Sequence, residues 1–232
     1  MKGLFRCCAV AAALTVASAS LGQMASTAAS SRSGGLVSVN KARAPRVNRL
    51  RPVPTPKLDF SGFRAVNARP REWLVFDVLY SVPGSWIDEL EVNFYVMLRH
   101  PNPETRKVEF SFFRSTVAYR DVVGERAGAN FNRSGDHMAG MVLHPNGWMR
   151  YGDPSDPVKG LIGFAVEFSV KGKVIDQYSD IKPGCELAKV KDWWKNDQVL
   201  SSDAVKTLDG YLMERGKTPF ALVNPDDYEM VK

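Results

Sequence analysis

LEVNFYVML, residues 90–98, alternates without a break: Leu90, Val92, Phe94, Val96 and Leu98 fall on one side, and Glu91, Asn93, Tyr95 and Met97 on the other. A period of two is the side-chain repeat of a strand, so this run reads as a strand with one face in a core and the other toward water. The pattern recurs outward in both directions. Val108, Phe110 and Phe112 alternate with Glu109 and Ser111. Phe164, Val166, Phe168 and Val170 repeat it, and a turn at Lys171-Gly172-Lys173 leads into a further strand over 174–178. Trp73 to Val82 is denser in apolar residues, as a central strand is, and closes at Pro83-Gly84. Chain breakers punctuate these runs at Pro101-Asn102-Pro103, Asn146-Gly147 and 152–157. Short strands with turn signals between them and few helical intervals predict a mainly β domain, an antiparallel β-sandwich. Two short C-terminal helices complete the expectation. One is capped by Ser202-Asp203 and runs to about Arg215 with Val205, Leu208 and Leu212 on one face; a weaker one spans Glu186 to Lys195.

The ends of the chain have a different composition. Lys2 and Arg6 precede an unbroken small-apolar run from Cys7 to Ala17, and Ala17-Ser18-Ala19 has the small-x-small pattern of a signal-peptidase site. Residues 1–19 therefore read as a secretory signal peptide, its apolar core only about half the roughly 20 residues that a membrane span requires. The expected mature chain has no transmembrane segment, is secreted, and resides in the periplasm or on the outer surface of a bacterium. Of the three cysteines only Cys185 survives cleavage, so no internal disulfide can form and the apolar core must hold the fold.

Residues 20–57 are rich in Ser, Ala and Pro and carry Lys41, Arg43, Arg46, Arg49, Arg51 and Lys57. So little apolar surface predicts a disordered basic tether ahead of a β-sandwich domain at 58–232. Nine of the 31 Lys and Arg residues, and none of the 25 Asp and Glu, lie in residues 1–58, which leaves 22 against 25 in the remainder. The basic balance thus belongs to the leader and tether. That argues against a nucleic-acid-binding domain, whose basic footprint sits on the fold, and points the tether toward anionic glycans.

Candidate chemistry is sparse. His137 and His144, two of three histidines, precede an Asn146-Gly147 signal that predicts a hairpin with arms over 138–144 and 148–151. Seven residues apart on a strand, they face opposite sides and cannot share a metal. The sequence has no G-x-S-x-G elbow, phosphate-cradling glycine loop, C-x-x-C or H-E-x-x-H, so no catalytic, cofactor or metal residue is assigned. Asn132-Arg133-Ser134 matches a glycosylation sequon. The aromatics supply the interaction candidates. Trp193-Trp194, set among Lys191, Asp192, Lys195 and Asn196, should leave one ring exposed because neighbours seldom both point inward, and Trp148 with Tyr151 lies beside the expected turn. Trp73 and Trp86 are assigned to the ends of the core.

The short leader, the basic Pro-rich tether and an all-β domain opening "PREWLVFDVLYSVPGSWIDELEVNFYVMLRH", residues 70–100, together resemble the secreted immunoglobulin-like proteins associated with type IV pilus-like systems of Verrucomicrobia. Their sandwich is similar to that of archaeal type IV pilus subunits. The resemblance implies an immunoglobulin-like sandwich and a non-enzymatic surface or pilus-associated role, with other pilus or envelope proteins, or a second copy of the chain, as partners. It transfers no site residue, and the long N-terminal apolar helix of a true pilin is missing. A carbohydrate-binding module using the paired aromatics and a secreted hydrolase are the alternatives.

Overall fold

Ten strands account for the architecture of the computed structural model, which describes residues 35–57, 70–84, 86–102, 104–127, 136–153, 157–224, 228 and 231. They are β1 (Ser38–Val39), β2 (Val53–Pro54), β3 (Glu72–Ser81), β4 (Trp86–Pro101), β5 (Val108–Val123), β6 (Asp136–Leu143), β7 (Leu161–Val170), β8 (Lys173–Ile181), β9 (Val205–Leu208) and β10 (Leu212–Glu214). One sheet has the order β1-β3-β6-β10 with β2 beside β3; the other runs β8-β7-β4-β5-β9. Pairing is antiparallel except for β5 with β9. The two sheets form the expected sandwich.

The decisive alternation behaves as its period requires. Leu90, Val92, Phe94, Val96 and Leu98 are all sealed in the interior, against Leu74, Phe76, Val78 and Tyr80 of β3 and Phe164, Val166 and Phe168 of β7. Phe76 and Phe164 stack across the sheets with ring centroids 5.1 Å apart. The β7–β8 turn is also where the sequence put it. Lys171 (φ 51) and Gly172 (φ 74) both take the left-handed region, as a two-residue hairpin turn demands.

The outward faces are less watery than a half-buried strand suggests. Phe110 and Phe112 point away from the inter-sheet core and join Met97, Ile162 and Ala165 in a second apolar cluster. The chain from 182 to 202 lies over that face. Similarly Trp73, Val75 and Val142 on the outside of the first sheet are covered by Phe220. Each sheet therefore buries side chains on both faces over part of its area, which is why β6 and β7 are nearly continuously apolar.

Four sequence expectations are corrected. The hairpin arm 148–151 is instead a short helix, α1 (Pro145–Tyr151). Pro145 occupies its first turn, and the His144 Nδ1 accepts the Asn146 N–H at 3.1 Å as its N-cap, a start signal that outweighs Asn-Gly. The helix expected from Ser202 to Arg215 is β9 and β10, divided by Gly210 at φ 81, a conformation no helix interior contains. Glu186 to Lys195 forms only a 3₁₀ turn at Glu186–Lys189 followed by further turns, and the genuine short helices in this half are α2 (Pro157–Gly160) and α3 (Asp197–Leu200). Finally, the described part of the expected tether is not loose, since Val37, Val39 and Val47 are buried in the main core. The expected signal peptide, the first part of the tether and the 132–134 sequon lie outside the described residues.

Candidate functional site

The tether's second half is structured because three valines plug the sandwich. Val37, Val39 and Val47 are buried in the main core, and β1 pairs with β3. Two carboxylates of β8 fasten the same segment by its backbone: Asp176 accepts the Val39 N–H at 2.8 Å, and Asp180 accepts the Val47 N–H at 2.7 Å. The Tyr178 hydroxyl donates to the Pro45 carbonyl at 3.3 Å, and its acidity is suppressed first by burial and then by the Asp180 charge. Residues 37–50 thus close the side of the sandwich between β3 and β8.

This anchoring has an outward consequence. Lys41, Arg43, Arg46, Arg49, Arg51 and Lys57 all remain exposed, so the cations expected on a loose tether stand instead on ordered chain. Arg43, Arg46 and Arg49 border a shallow recess of about 280 Å³. Beside it, Asn48 and Arg51 face Lys159 of α2 and Lys182 at the end of β8 across a cleft of about 390 Å³. The Lys182 ammonium donates to the Lys159 carbonyl at 2.8 Å, which pins it at the cleft margin. Sequence reading missed Lys159 and Lys182. They lie over a hundred residues from the segment they complete, and only β8's position beside the N-terminal chain brings them together.

The aromatic candidates are corrected to core residues. Trp193 and Trp194 are 0% and 3% exposed, and their rings meet edge to face at 5.8 Å on the outside of the second sheet. Adjacent residues both point inward here because the chain crosses the sheet as a turn rather than as a strand. An added Cβ at Gly163 would lie 2.8 Å from Trp193 Cζ2, so β7 is bare where the indole rests. Lys195 forms an ion pair with the buried Glu167. The Tyr95 hydroxyl donates to the same carboxylate at 3.1 Å and is pushed toward higher pKa, mainly by burial. Trp148 is 2% exposed and its indole N–H donates to the Glu72 carbonyl at 3.0 Å, while half-buried Tyr151 meets Tyr211 edge to face. Trp73 is buried as expected, whereas Trp86 is 46% exposed and does not plug the core.

The remaining ionisable groups also serve the fold. His137 is buried, bonds to the Val123 carbonyl and stacks on Tyr80. His144 caps α1 with its ring edge-on to Trp73, and burial followed by the Arg71 charge lowers its pKa. Asp77 is pushed up by burial, offset by the Tyr228 hydroxyl and the Arg215 charge. Arg215 itself lies 3.5 Å over the Tyr228 ring. Cys185 is a half-buried thiol beside Met97, Phe110 and Leu187 in an apolar groove of about 510 Å³. Among the described residues no three His, Cys, Asp or Glu side chains gather as a metal-ligand set, and no helix is long and apolar enough to cross a membrane.

A protein-family model matches residues 40–232. The chain belongs to that family. The match starts inside the basic segment, in agreement with a folded unit that includes it. A crystal structure of a protein from Akkermansia muciniphila has a similar fold, with a TM-score of 0.63 over 84% of this chain and 92% of that one, at 19% sequence identity. No curated protein matches the sequence.

Proposed function

We propose that the chain is a secreted, non-enzymatic surface protein that acts through contacts with other envelope or pilus proteins. The observation that carries this reading is how its reactive side chains are used. Asp77 with Arg215 and Glu167 with Lys195 tie a sheet to the chain packed on it, while His137 with Tyr80 and Tyr95 with Glu167 join neighbouring strands of one sheet. The exposed chemistry is instead an ordered rim of cations, a surface suited to contact rather than turnover. The carbohydrate-binding alternative that relied on Trp148, Trp193 and Trp194 loses its platform with their burial. Cell fractionation followed by mass spectrometry of the mature N-terminus tests the address: the expected product starts near Ser20 and is found outside the cytoplasm. Photocrosslinkers at Arg43, Arg46 and Arg49 in intact cells should give defined adducts with envelope proteins or with a second copy. Recovery only from the cytoplasm as a full-length chain, or hydrolysis of glycan or peptide substrates that disappears in Asp77→Asn or Glu167→Gln, overturns the reading.

A further inference from the structure

The cleft between the N-terminal segment and the α2–β8 corner brings together three cations from three parts of the sequence. From its geometry we infer that Arg51, Lys159 and Lys182 with Asn48 form a binding site for linear sulfated or uronate-bearing glycans, continued along the rim by Arg49, Arg46 and Arg43. This site shares its arginine rim with the contact surface proposed above, but its cleft of Asn48, Arg51, Lys159 and Lys182 does not rest on that reading.

Five observations lead there. The cleft, about 390 Å³, is of the size that takes a sugar residue or two, and the amide of Asn48 adds hydrogen-bonding capacity to the charges. The wall formed by the N-terminal segment is fixed before any ligand arrives, since Val47 is buried and its N–H is held by Asp180, and Lys182 reaches the Lys159 carbonyl on the opposite side. A preorganised site loses less ordering entropy on binding than a loose basic tail would. The rim is dominated by arginine, whose planar fork pairs two N–H groups with the two oxygens of a carboxylate or sulfate. Residues 41–57 contain no aromatic side chain, so the track has nothing on which nucleic-acid bases could stack. Two acids of β8 beneath the segment are already engaged. Asp176 and Asp180 accept backbone N–H groups from the segment's inner side, and Asp180 also shares its surroundings with Arg46 around Tyr178.

Heparin oligosaccharides are the probe, used with the full mature chain on an affinity column and by calorimetry. Retention at about 50 mM salt is expected, with log K falling linearly in log salt as counterions are released. The triple variant Arg51→Gln, Lys159→Gln, Lys182→Gln should weaken binding at least tenfold and flatten the salt slope by about 2. A control removing three exposed lysines elsewhere, Lys107→Gln, Lys171→Gln and Lys173→Gln, should change affinity less than threefold. Denaturation midpoints confirm that both variants fold; should the triple variant unfold, Arg46→Gln with Arg49→Gln on the exposed rim must show a loss of the same kind. No retention of wild type, equal losses in the cleft and control variants, or an unchanged triple variant overturns the assignment. So does tighter, equally cleft-dependent binding to duplex DNA or to phosphatidylglycerol vesicles.

Discussion

Single residues carry more of the fold than their chemistry announces. Gly163 is the clearest case, since any side chain there meets the Trp193 ring backed by Phe112 and Met97. Gly163→Ala should lower unfolding free energy by about 1–3 kcal/mol, the usual cost of overpacking a filled interior. Trp193→Phe in the same chain should recover part of that loss by vacating ring volume; urea denaturation of the two variants checks both statements. His144 gives a pH test. Its folded-state pKa is depressed below 6.5, so the unfolded chain binds more protons in the interval between the two values and stability rises with pH across it. The stabilisation is complete above about pH 6.5 and is lost as the pH falls through the lowered value, where Nδ1 takes a proton and can no longer accept the Asn146 N–H. His144→Asn keeps an acceptor without a titration, so it should flatten the pH dependence of the melting temperature between about pH 5 and pH 7. A wild-type profile unchanged by the substitution would refute this. The sequence displayed His144 in plain view, but as a member of a histidine pair. Its cap role is readable only from Pro145 beside it, and Asn146-Gly147 concealed that signal.

At the level of elements, what the sequence showed and what it hid differ by range. The long strands β3, β4, β5, β7 and β8 were legible because several consecutive alternations repeat one message. β1 was not: it has two residues, and Val37 and Val39 are a single alternation in a stretch whose average composition is that of a linker. Ordering this stretch took three buried valines and two carboxylates from β8, none of which a composition window registers. The strands β9 and β10 were misread for a related reason. Val205, Leu208 and Leu212 satisfy a helical spacing, yet the parallel edge that β5 offers to Val205–Leu208 and the antiparallel edge that β6 offers to Leu212–Glu214 decide the conformation. The consequence for the N-terminal segment can be measured. Burying a valine is worth about 1.5–3 kcal/mol, so losing three from a domain whose total stability is of order 5–15 kcal/mol is severe. A chain beginning at Gly34 should match the mature protein in guanidinium denaturation, and one beginning at Leu58 should unfold at much lower denaturant or lack a cooperative transition. An unchanged midpoint in the shorter chain would return residues 37–57 to the role of a tether.

For the whole folded unit, the arrangement of its apolar clusters sets an order of opening. The second sheet faces two ways: Val96 points into the inter-sheet core and its neighbour Met97 into the outer cluster beneath Trp193 and Trp194. These two interiors are unequal. The inner one draws on both sheets and on the N-terminal segment, whereas the outer one is roofed only by chain between 182 and 202, made of turns, a 3₁₀ segment and the four-residue α3. Removing the roof would expose the indoles and the Glu167–Lys195 pair yet leave every strand pairing of β4, β5, β7 and β8 in place. The sandwich can therefore persist without its roof, while the roof has nothing to fold against without the sandwich. Native-state hydrogen exchange should separate the two. The amides of Ala188, Val190 and Lys195, which bond within the roof, should exchange through a partial opening of lower free energy and weaker denaturant dependence than those of Val92 to Leu98. Trp194→Ala should enlarge that difference, because it weakens the outer cluster without touching the inner one. If both sets of amides exchange only with global unfolding, and Trp194→Ala shifts them equally, the roof is an inseparable part of the core.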